Sequence, residues 1–171
     1  MRATTLDGSG TMTPTQTFRM TRSMRLGTAL LKTLLQAGIP LGPLALLSVR
    51  GRRSGTLYTT PVALVQHGHE RWLVAAFGEV NWVRNLRAAG VAYLTCGRRT
   101  EPISVVELGV TDAAPILPQF LKRFYRVPFI PPHFSATPHS PIADFERDAI
   151  HHPVFGIVCT NEKTNWSKPW A

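Results

Sequence analysis

The chain has 171 residues, of which 44% are hydrophobic, with a mean hydropathy of -0.01 and a formal net charge of +9. This length and composition indicate a single soluble globular domain with a core of ordinary size. Only ten residues are Asp or Glu, and no two of them stand at a spacing that suggests a catalytic pair. Composition therefore argues against side-chain acid–base catalysis and favours a protein whose cofactor carries out the reaction.

The positive charge is concentrated in the N-terminal third. Residues 1–60 contain eight Lys and Arg residues against one acidic residue, Asp7. Such a field attracts a polyanion, which is a phosphorylated cofactor, a nucleic acid or an anionic membrane. Nucleic acid is the weakest of these alternatives because aromatic residues do not alternate with the Lys and Arg residues.

The N-terminal region is expected to contain a tail and one helix. Residues 1–15 are polar and predict a disordered tail without a signal peptide, which leaves 16–171 as one domain in the cytoplasm. Leucines at helical spacing predict a helix over 18–37 that ends at Gly38. We favour a helix packed on the domain, and the alternative is peripheral contact with the inner face of the cell membrane. The uncharged run over 33–49 is too short and too broken to predict a membrane span.

The remaining chain predicts a small antiparallel β-barrel with inserted helices, an α+β fold. Short apolar or alternating runs joined by turns favour this architecture over a doubly wound sheet. The predicted elements, in order, are strands over 44–51, 57–66 and 71–77, a helix over 81–90, strands over 91–96 and 99–108, a helix over 112–126, a proline-rich loop over 127–141 and a strand over 151–160. Asn81 is expected to cap the first of these helices, and Gly90 to end it.

The cysteines and histidines predict no special chemistry. Cys96 and Cys159 lie in β-like runs without C-x-x-C spacing and are expected to be core thiols. Two histidine pairs, His67 with His69 and His151 with His152, lack a carboxylate or cysteine at ligand spacing, so no metal site is predicted.

The stretch "GRRSG", residues 51–55, has two interpretations. Its glycines permit a turn whose backbone N–H groups bind an anion, and Arg52, Arg53 and Ser54 add side-chain donors suited to phosphate. The alternative is a solvated basic turn.

Two neighbouring strands add small and polar residues that suit a flat ligand. In the run Tyr58, Thr59, Thr60, Pro61, Val62 and Ala63, the proline predicts a strand edge or bulge where a ligand takes up free backbone groups. Across the hairpin, Ala75, Ala76, Phe77 and Gly78 would let a ring approach the backbone, and the alternative is a tightly packed barrel interior. On the helix that follows, Trp82 and Asn85 share one face, and a buried amide there needs partners.

The motifs "GRRSG", "TTP", "LVAAFG" and "NWVRNLRAAG", in this order and spacing, resemble the deazaflavin-dependent nitroreductase family of actinobacteria, which has a split β-barrel related to the pyridoxamine-phosphate-oxidase-like, FMN-binding group. The resemblance implies that the chain binds coenzyme F420 and passes hydride from it to a small apolar acceptor such as a quinone, a nitro compound or an enone. It implies that the cofactor's phosphate and acidic tail contact Arg52, Arg53 and Ser54. The ring would lie between residues 58–63, 75–78 and 81–85.

Some positions depart from the family pattern. Family members often have a basic residue in place of Tyr58 and a Ser-Lys-Gly-Gly type loop in place of Phe77–Glu79. Of the tyrosines that lie above the ring in such proteins, Tyr125 alone remains as a candidate proton donor, and its alternative role is to cover the core. The rival functions are an FMN-dependent oxidoreductase on the same fold and a non-catalytic carrier of a flavin or fatty acid. A homodimer is compatible with this fold.

Overall fold

The computed structural model describes residues 33–34, 37–38, 42–127 and 130–158. The predicted tail over 1–15 lies outside these residues, as do most of the predicted helix over 18–37 and Cys159. None of the helices in the described part of the chain has the length and apolar character needed to cross a bilayer.

Six strands form a closed antiparallel barrel in the order β1-β2-β3-β6-β5-β4. The strands are β1 Leu44–Arg50, β2 Leu57–His67, β3 Glu70–Val74, β4 Val91–Cys96, β5 Arg99–Glu107 and β6 Val154–Val158. Hairpin turns at Gly68 and at Gly97–Arg98 connect paired antiparallel strands. The prediction of a small antiparallel barrel is confirmed.

Between the strands, the described residues form four α-helices and one 3-10 turn. They are α1 Asn81–Ala89, α2 Val110–Ala113, α3 Leu117–Phe124, the 3-10 turn Pro131–His133 and α4 Ile142–Ala149. The prediction of one continuous helix over 112–126 is wrong. The helical structure is interrupted between α2 and α3, where Pro115 removes a backbone donor and crowds the preceding turn. Helix α4 has no counterpart in the predicted elements, because it is short and directly follows the proline-rich loop.

The core has two layers. Inward-facing side chains such as Leu47, Leu73, Leu94 and Phe155 fill the barrel together with residues of α1. Helices α2, α3 and α4 form a second apolar cluster against the outer face of β2, β3 and β6. Because each strand alternates between these layers, register decides which side chains can reach a ligand.

The barrel has two distinct ends. Strand β1 leads into the Arg-rich turn, residues 51–55, at one end, and helix α1 packs against β1 and β4. We call this the α1 end. The β4–β5 turn at Gly97–Arg98 lies at the other end, since Thr95 pairs with Leu46 near the start of β1. We call it the far end.

Strand β3 stops earlier than predicted. The strand was expected to continue to Phe77, but it ends at Val74, and residues 75–78 form a turn in which the Gly78 N–H donates to the Ala75 carbonyl at 3.0 Å. Gly78 has φ +70°, and a Cβ at this position would lie 3.1 Å from the His151 carbonyl oxygen. The turn therefore depends on glycine.

Candidate functional site

Backbone hydrogen bonds close the Arg-rich turn between β1 and β2. The Gly51 N–H donates to the Thr56 carbonyl, and the Gly55 N–H donates to the Gly51 carbonyl, each at 2.8 Å. Gly55 adopts φ +67°, a conformation that L-residues with side chains rarely adopt. Arg50 Nη1 donates to the Gly55 carbonyl at 2.9 Å, which further fixes the tip of the turn.

Asn85 on α1 anchors this turn to the barrel. Its Oδ1 accepts hydrogen bonds from the Arg52 backbone N–H at 3.3 Å and from Arg52 Nη1 at 2.9 Å. The Asn85 side chain is buried, so the predicted need of a buried amide for partners is met by the arginine. Asn85 thus holds Arg52 in place, and the guanidinium of Arg52 is not left to point freely into solvent.

The turn keeps donors available for a ligand. Within the described part of the chain, the backbone N–H groups of Arg53 and Ser54 make no hydrogen bond. Ser54 Oγ accepts from the Thr56 N–H and lies 3.3 Å from the Tyr58 hydroxyl. A Cβ at position 51 would lie 2.5 Å from Tyr58 Cε2, so glycine is needed there for the tyrosine to pack over the turn.

The first half of β2 has a free edge next to this turn. Strand β1 pairs with β2 from Leu57 to Ala63, but β3 pairs with β2 only from Ala63 onward. Among the described residues, positions 57–62 therefore have a strand partner on one side only. Pro61 lies in this half, as its missing N–H predicts for a strand edge.

The register divides the predicted β2 contacts between two faces. Thr60 and Val62 pair with the inward-facing Leu47 and Ala45, so they belong to the barrel interior, and Tyr58 shares their face at the rim. The outward-facing set is Thr59, Pro61 and Ala63, with the Thr59 hydroxyl 2.8 Å from Ser48 Oγ. Side chains of only one set can contact a ligand from a given face.

The turn after β3 lies between the free edge and helix α1 along the chain. Ala75 and Ala76 are buried, and Phe77 and Gly78 are half-buried. Ala75 packs in the barrel interior and Ala76 in the outer cluster. The alternative interpretation of these alanines as core residues therefore holds for their side chains.

Helix α1 begins differently from the prediction. Val80 is the N-cap, and no side chain caps the helix, so the capping role predicted for Asn81 is wrong. Asn81 is the exposed first residue of the helix, where its side chain cannot reach back to the free N–H groups. Gly90 ends the helix as predicted, at φ +66°, with its N–H donating to the Leu86 carbonyl.

Trp82 closes part of the α1 end. Its side chain is half-buried and packs against the interior cluster, with its ring centroid 5.9 Å from that of Phe155. The shared face predicted for Trp82 and Asn85 is therefore the face that packs on the barrel, and Val83 and Leu86 are fully buried beside them.

Acidic residues at this end are paired away from the Arg-rich turn. Arg87 on α1 makes two hydrogen bonds with the Glu107 carboxylate, at 2.6 and 2.7 Å, and a further ion pair with Glu79. Glu79 also pairs with Arg84 at 3.5 Å. The hydrogen bond to Glu107, more than the one to Glu79, raises the pKa of Arg87. Glu79 is thus paired with arginines of α1, and within the described ranges no acidic residue pairs with Arg52 or Arg53.

The roles of two buried residues near the site, His152 and Asp148, are not predicted from the sequence. His152 is buried, with Nδ1 3.2 Å from the Ala75 carbonyl oxygen and Nε2 2.8 Å from the His133 carbonyl oxygen. Burial lowers the pKa of His152. Asp148 is buried and accepts hydrogen bonds from the backbone N–H groups of Ser135 and Ala136. The adjacent histidines at 151–152 suggest only a metal pair, and no local sequence pattern identifies the partners of His152 or Asp148.

Tyr125 and Cys96 lie apart from these contacts. Tyr125 follows α3 and is exposed, and no hydrogen bond or ring contact joins it to another candidate residue within the described part of the chain. Cys96 is exposed at the far end, so the prediction of a core thiol there is wrong, because β4 ends at this residue.

Comparison with known proteins identifies the family. A family model described as F420H(2)-dependent quinone reductase matches residues 20–123, more than half of the chain. Among solved structures, the chain is similar to one described as a domain-swapped dimer, with 17% identity over 76% of this chain and 95% of that chain and a TM-score of 0.50. It is also similar to the F420-H2 dependent reductase FDR-A, with 18% identity over 68% of this chain and 94% of that chain and a TM-score of 0.47.

No curated protein matches the chain. At such identities the solved structures bear on the fold alone, and the family model carries the assignment. The barrel, the motifs and the family match agree with the resemblance described above. The chain therefore belongs to the F420H(2)-dependent quinone reductase family, as an F420H2-dependent oxidoreductase with coenzyme F420 as its cofactor.

Proposed function

We propose that this protein transfers a hydride from reduced F420 to a small apolar acceptor, namely a quinone, a nitro compound or an enone. One observation carries the proposal. A basic turn, in which two backbone N–H groups have no partner among the described residues, is fixed to helix α1 through Asn85. It lies directly beside an edge of β2 that no other described strand covers.

The Arg-rich turn fits an anionic cofactor tail. The N–H groups of Arg53 and Ser54 suit a phosphate or carboxylate as partner, because such donors bind anions strongly when they are already oriented. Arg52 is oriented by Asn85 and Arg53 is exposed. The Tyr58 hydroxyl, in place of the family's basic residue, adds a neutral donor next to Ser54.

The remaining candidate residues would hold the ring. The edge of residues 57–62, which no further described strand covers, offers backbone groups. The turn Ala75–Gly78 offers small side chains and glycine. The start of α1, from Asn81 to Asn85, would bound the ring on its third side. We assign the outward-facing Thr59, Pro61 and Ala63 as direct side-chain contacts of the ring, whereas Thr60 and Val62 would contribute mainly through their backbone.

When bound, F420H2 supplies the hydride, so the protein has to bind, orient and shield the reactants rather than provide a nucleophile. Reduction of a quinone also requires a proton. We assign Tyr125 as the candidate donor, since its exposed phenol could reach an acceptor bound near α3.

The assembly and location of the protein belong to the same proposal. Residues 16–171 would form one domain. Two copies of it could pair as a homodimer through the outer faces of β5 and β6, where Val106 and Val158 are exposed. The protein would lie in the cytoplasm, with or without peripheral contact with the membrane. Size-exclusion chromatography with light scattering tests the dimer, and flotation with anionic vesicles tests the membrane contact.

Titration with F420, followed by intrinsic tryptophan fluorescence, tests the cofactor site. Arg53→Ala removes a cation that could pair with the tail, so the F420 Kd should rise about tenfold, as expected for a charge-assisted hydrogen bond. Arg99→Ala is the matched control because Arg99 is an exposed arginine on β5 at the far end.

Equal Kd values for wild type, Arg53→Ala and Arg99→Ala would contradict the assignment of the turn. Tight binding without reduction of menadione, a nitroaromatic compound or cyclohexenone would contradict the reductase function and favour a carrier. A protein that purifies with bound FMN and does not bind F420 would contradict both the assignment of the turn and the F420-dependent function.

A further inference from the structure

His152 lies between two segments that are distant in sequence. Its side chain is buried, and its ring stacks on Phe134 with the centroids 3.9 Å apart and an interplanar angle of 16°. The residue immediately precedes Pro153, whose carbonyl accepts from the Ala75 N–H at 2.9 Å. The imidazole is therefore held tightly against the end of β3 and the segment Ile130–Ala136.

Each ring nitrogen of His152 faces a backbone carbonyl. Nε2 lies 2.8 Å from the His133 oxygen and Nδ1 lies 3.2 Å from the Ala75 oxygen. A neutral imidazole has one N–H and can donate to only one of them. The shorter contact indicates that Nε2 carries the proton and donates to His133. Ala75 does not depend on His152, since its oxygen also accepts from the Gly78 N–H at 3.0 Å.

A second contact joins the same two segments. The ring of Phe77, in the turn after β3, meets the ring of His133 edge to face, with centroids 5.2 Å apart and planes at 87°. Phe77, His133 and His152 therefore link the turn Ala75–Gly78 to the 3-10 turn Pro131–His133. The first of these turns belongs to the proposed cofactor site, and the second lies within the proline-rich loop over 127–141.

The segment Ile130–Ala136 is fixed at two points. At its C-terminal end, Asp148 on α4 accepts hydrogen bonds from Ser135 Oγ at 2.5 Å and from the Ala136 N–H at 2.9 Å. At its centre, His152 holds the His133 carbonyl. Without the hydrogen bond of His152, the segment would remain tied to α4 and in ring contact with Phe77, but it would be held less firmly against the turn after β3.

We propose that His152 is a positioning residue that fixes the distance between the cofactor-side turn Ala75–Gly78 and the segment Ile130–Ala136, and thereby sets the affinity for the acceptor. This inference rests on the proposed function, because it treats the space beside these two segments as the acceptor site. Loss of the contact should raise the acceptor KM and leave F420 binding intact.

Two variants with a matched control test this role. His152→Phe keeps an aromatic ring to stack on Phe134 but removes the donor to His133, and His152→Gln restores a donor. The acceptor KM for menadione should rise about tenfold in His152→Phe and by a smaller factor in His152→Gln, because a buried carbonyl loses its partner only in the first. His151→Phe and His151→Gln make the same changes at the exposed neighbour and should leave KM unchanged.

The F420 Kd, measured by tryptophan fluorescence, should stay within twofold of wild type in all four variants. If the His152 and His151 variants have equal acceptor KM values, the positioning role is wrong, even when wild-type protein binds F420 and reduces menadione. If wild type itself fails to bind F420, the proposed function is wrong instead.

Should His152→Phe fail to fold, Phe77→Leu provides a second test, since it removes the ring contact with His133 from the opposite side. It should raise the acceptor KM in the same direction as His152→Gln. An unchanged KM in both soluble variants would overturn the inference.

Discussion

The two ends of the barrel carry arginines in different electrostatic states. At the far end, Arg71 on β3 forms an ion pair with Glu101 on β5, and both residues lie on inward-facing positions next to the interior. At the α1 end, the described residues provide no acidic partner for Arg52 or Arg53, and the nearby Glu79 is paired with Arg84 and Arg87.

This difference teaches that pairing, rather than charge alone, distinguishes a binding cation from a structural one. A paired arginine at the rim of a barrel closes it and contributes little field to the outside. An arginine held by a neutral amide stays in place and keeps its full charge for an incoming anion. Asn85 has this role at the α1 end, because it orients Arg52 without neutralising it.

The largest effect in this comparison is expected at Asn85. Asn85→Leu removes the acceptor for the Arg52 backbone and guanidinium, so the turn loses its anchor and the F420 Kd should rise about tenfold. Asn85→Asp keeps the acceptor but adds a negative charge beside Arg52, and its Kd should rise only about threefold at physiological salt. Fluorescence titration of both variants measures the difference.

Salt separates the two causes. Raising the ionic strength should reduce the gap between Asn85→Asp and wild type, because screening weakens charge effects, and should leave the gap for Asn85→Leu unchanged. Were Asn85→Asp weaker than Asn85→Leu, the net charge of the turn would matter more than its anchoring, and the comparison would have to be revised.

The barrel and its strands could be predicted because the sequence patterns that define them are local. The runs of β1, β2, β4 and β5 are bounded by glycine turns, and the structure places these strands within one or two residues of the prediction. The errors lie where tertiary contacts, rather than local sequence, determine where a strand or helix ends. Ala75–Phe77 continue an apolar run, but the carbonyl of Pro153 and the glycine at position 78 turn the chain there.

The candidate site could be predicted in its parts but not in its connections. Arg52, Arg53 and Ser54 stand out by composition, and Asn85 stands out as an amide on an apolar face. That Asn85 binds Arg52 depends on a separation of 33 residues, for which no local pattern exists. The partners of His152 were equally hidden, since its contact with Ala75 spans 77 residues.

A smaller effect is expected when the far-end pair is broken. Glu101→Gln removes the carboxylate that pairs with the half-buried Arg71, so the free energy of unfolding should fall by about 1 kcal/mol. The F420 Kd should not change, because the far end has no part in the proposed site. Urea unfolding followed by circular dichroism measures the first quantity, and fluorescence titration measures the second.

Glu107→Gln is the matched control at the α1 end. Arg87 keeps its ion pair with Glu79 when Glu107 is neutralised, so this variant should lose less stability than Glu101→Gln. A larger loss in Glu107→Gln, or a weakened F420 affinity in Glu101→Gln, would contradict the assignment of the two ends.

The smallest effect concerns Cys96, which lines a cavity of about 600 Å³ together with Leu64 and Gln66 at the far end. Although the residue as a whole is exposed, partial burial of the sulfur, and then Glu101, raise the pKa of the Cys96 thiol above its ordinary value. Since only the thiolate reacts, alkylation by iodoacetamide in a Cys159→Ala background should be several-fold slower at pH 8 than that of a free thiol, and its rate should still rise at pH 9.5. Glu101→Gln should move the profile to lower pH, because it removes a negative charge that disfavours the thiolate. Alkylated protein should bind F420 as before, and a loss of binding would mean that the cofactor reaches the far end of the barrel.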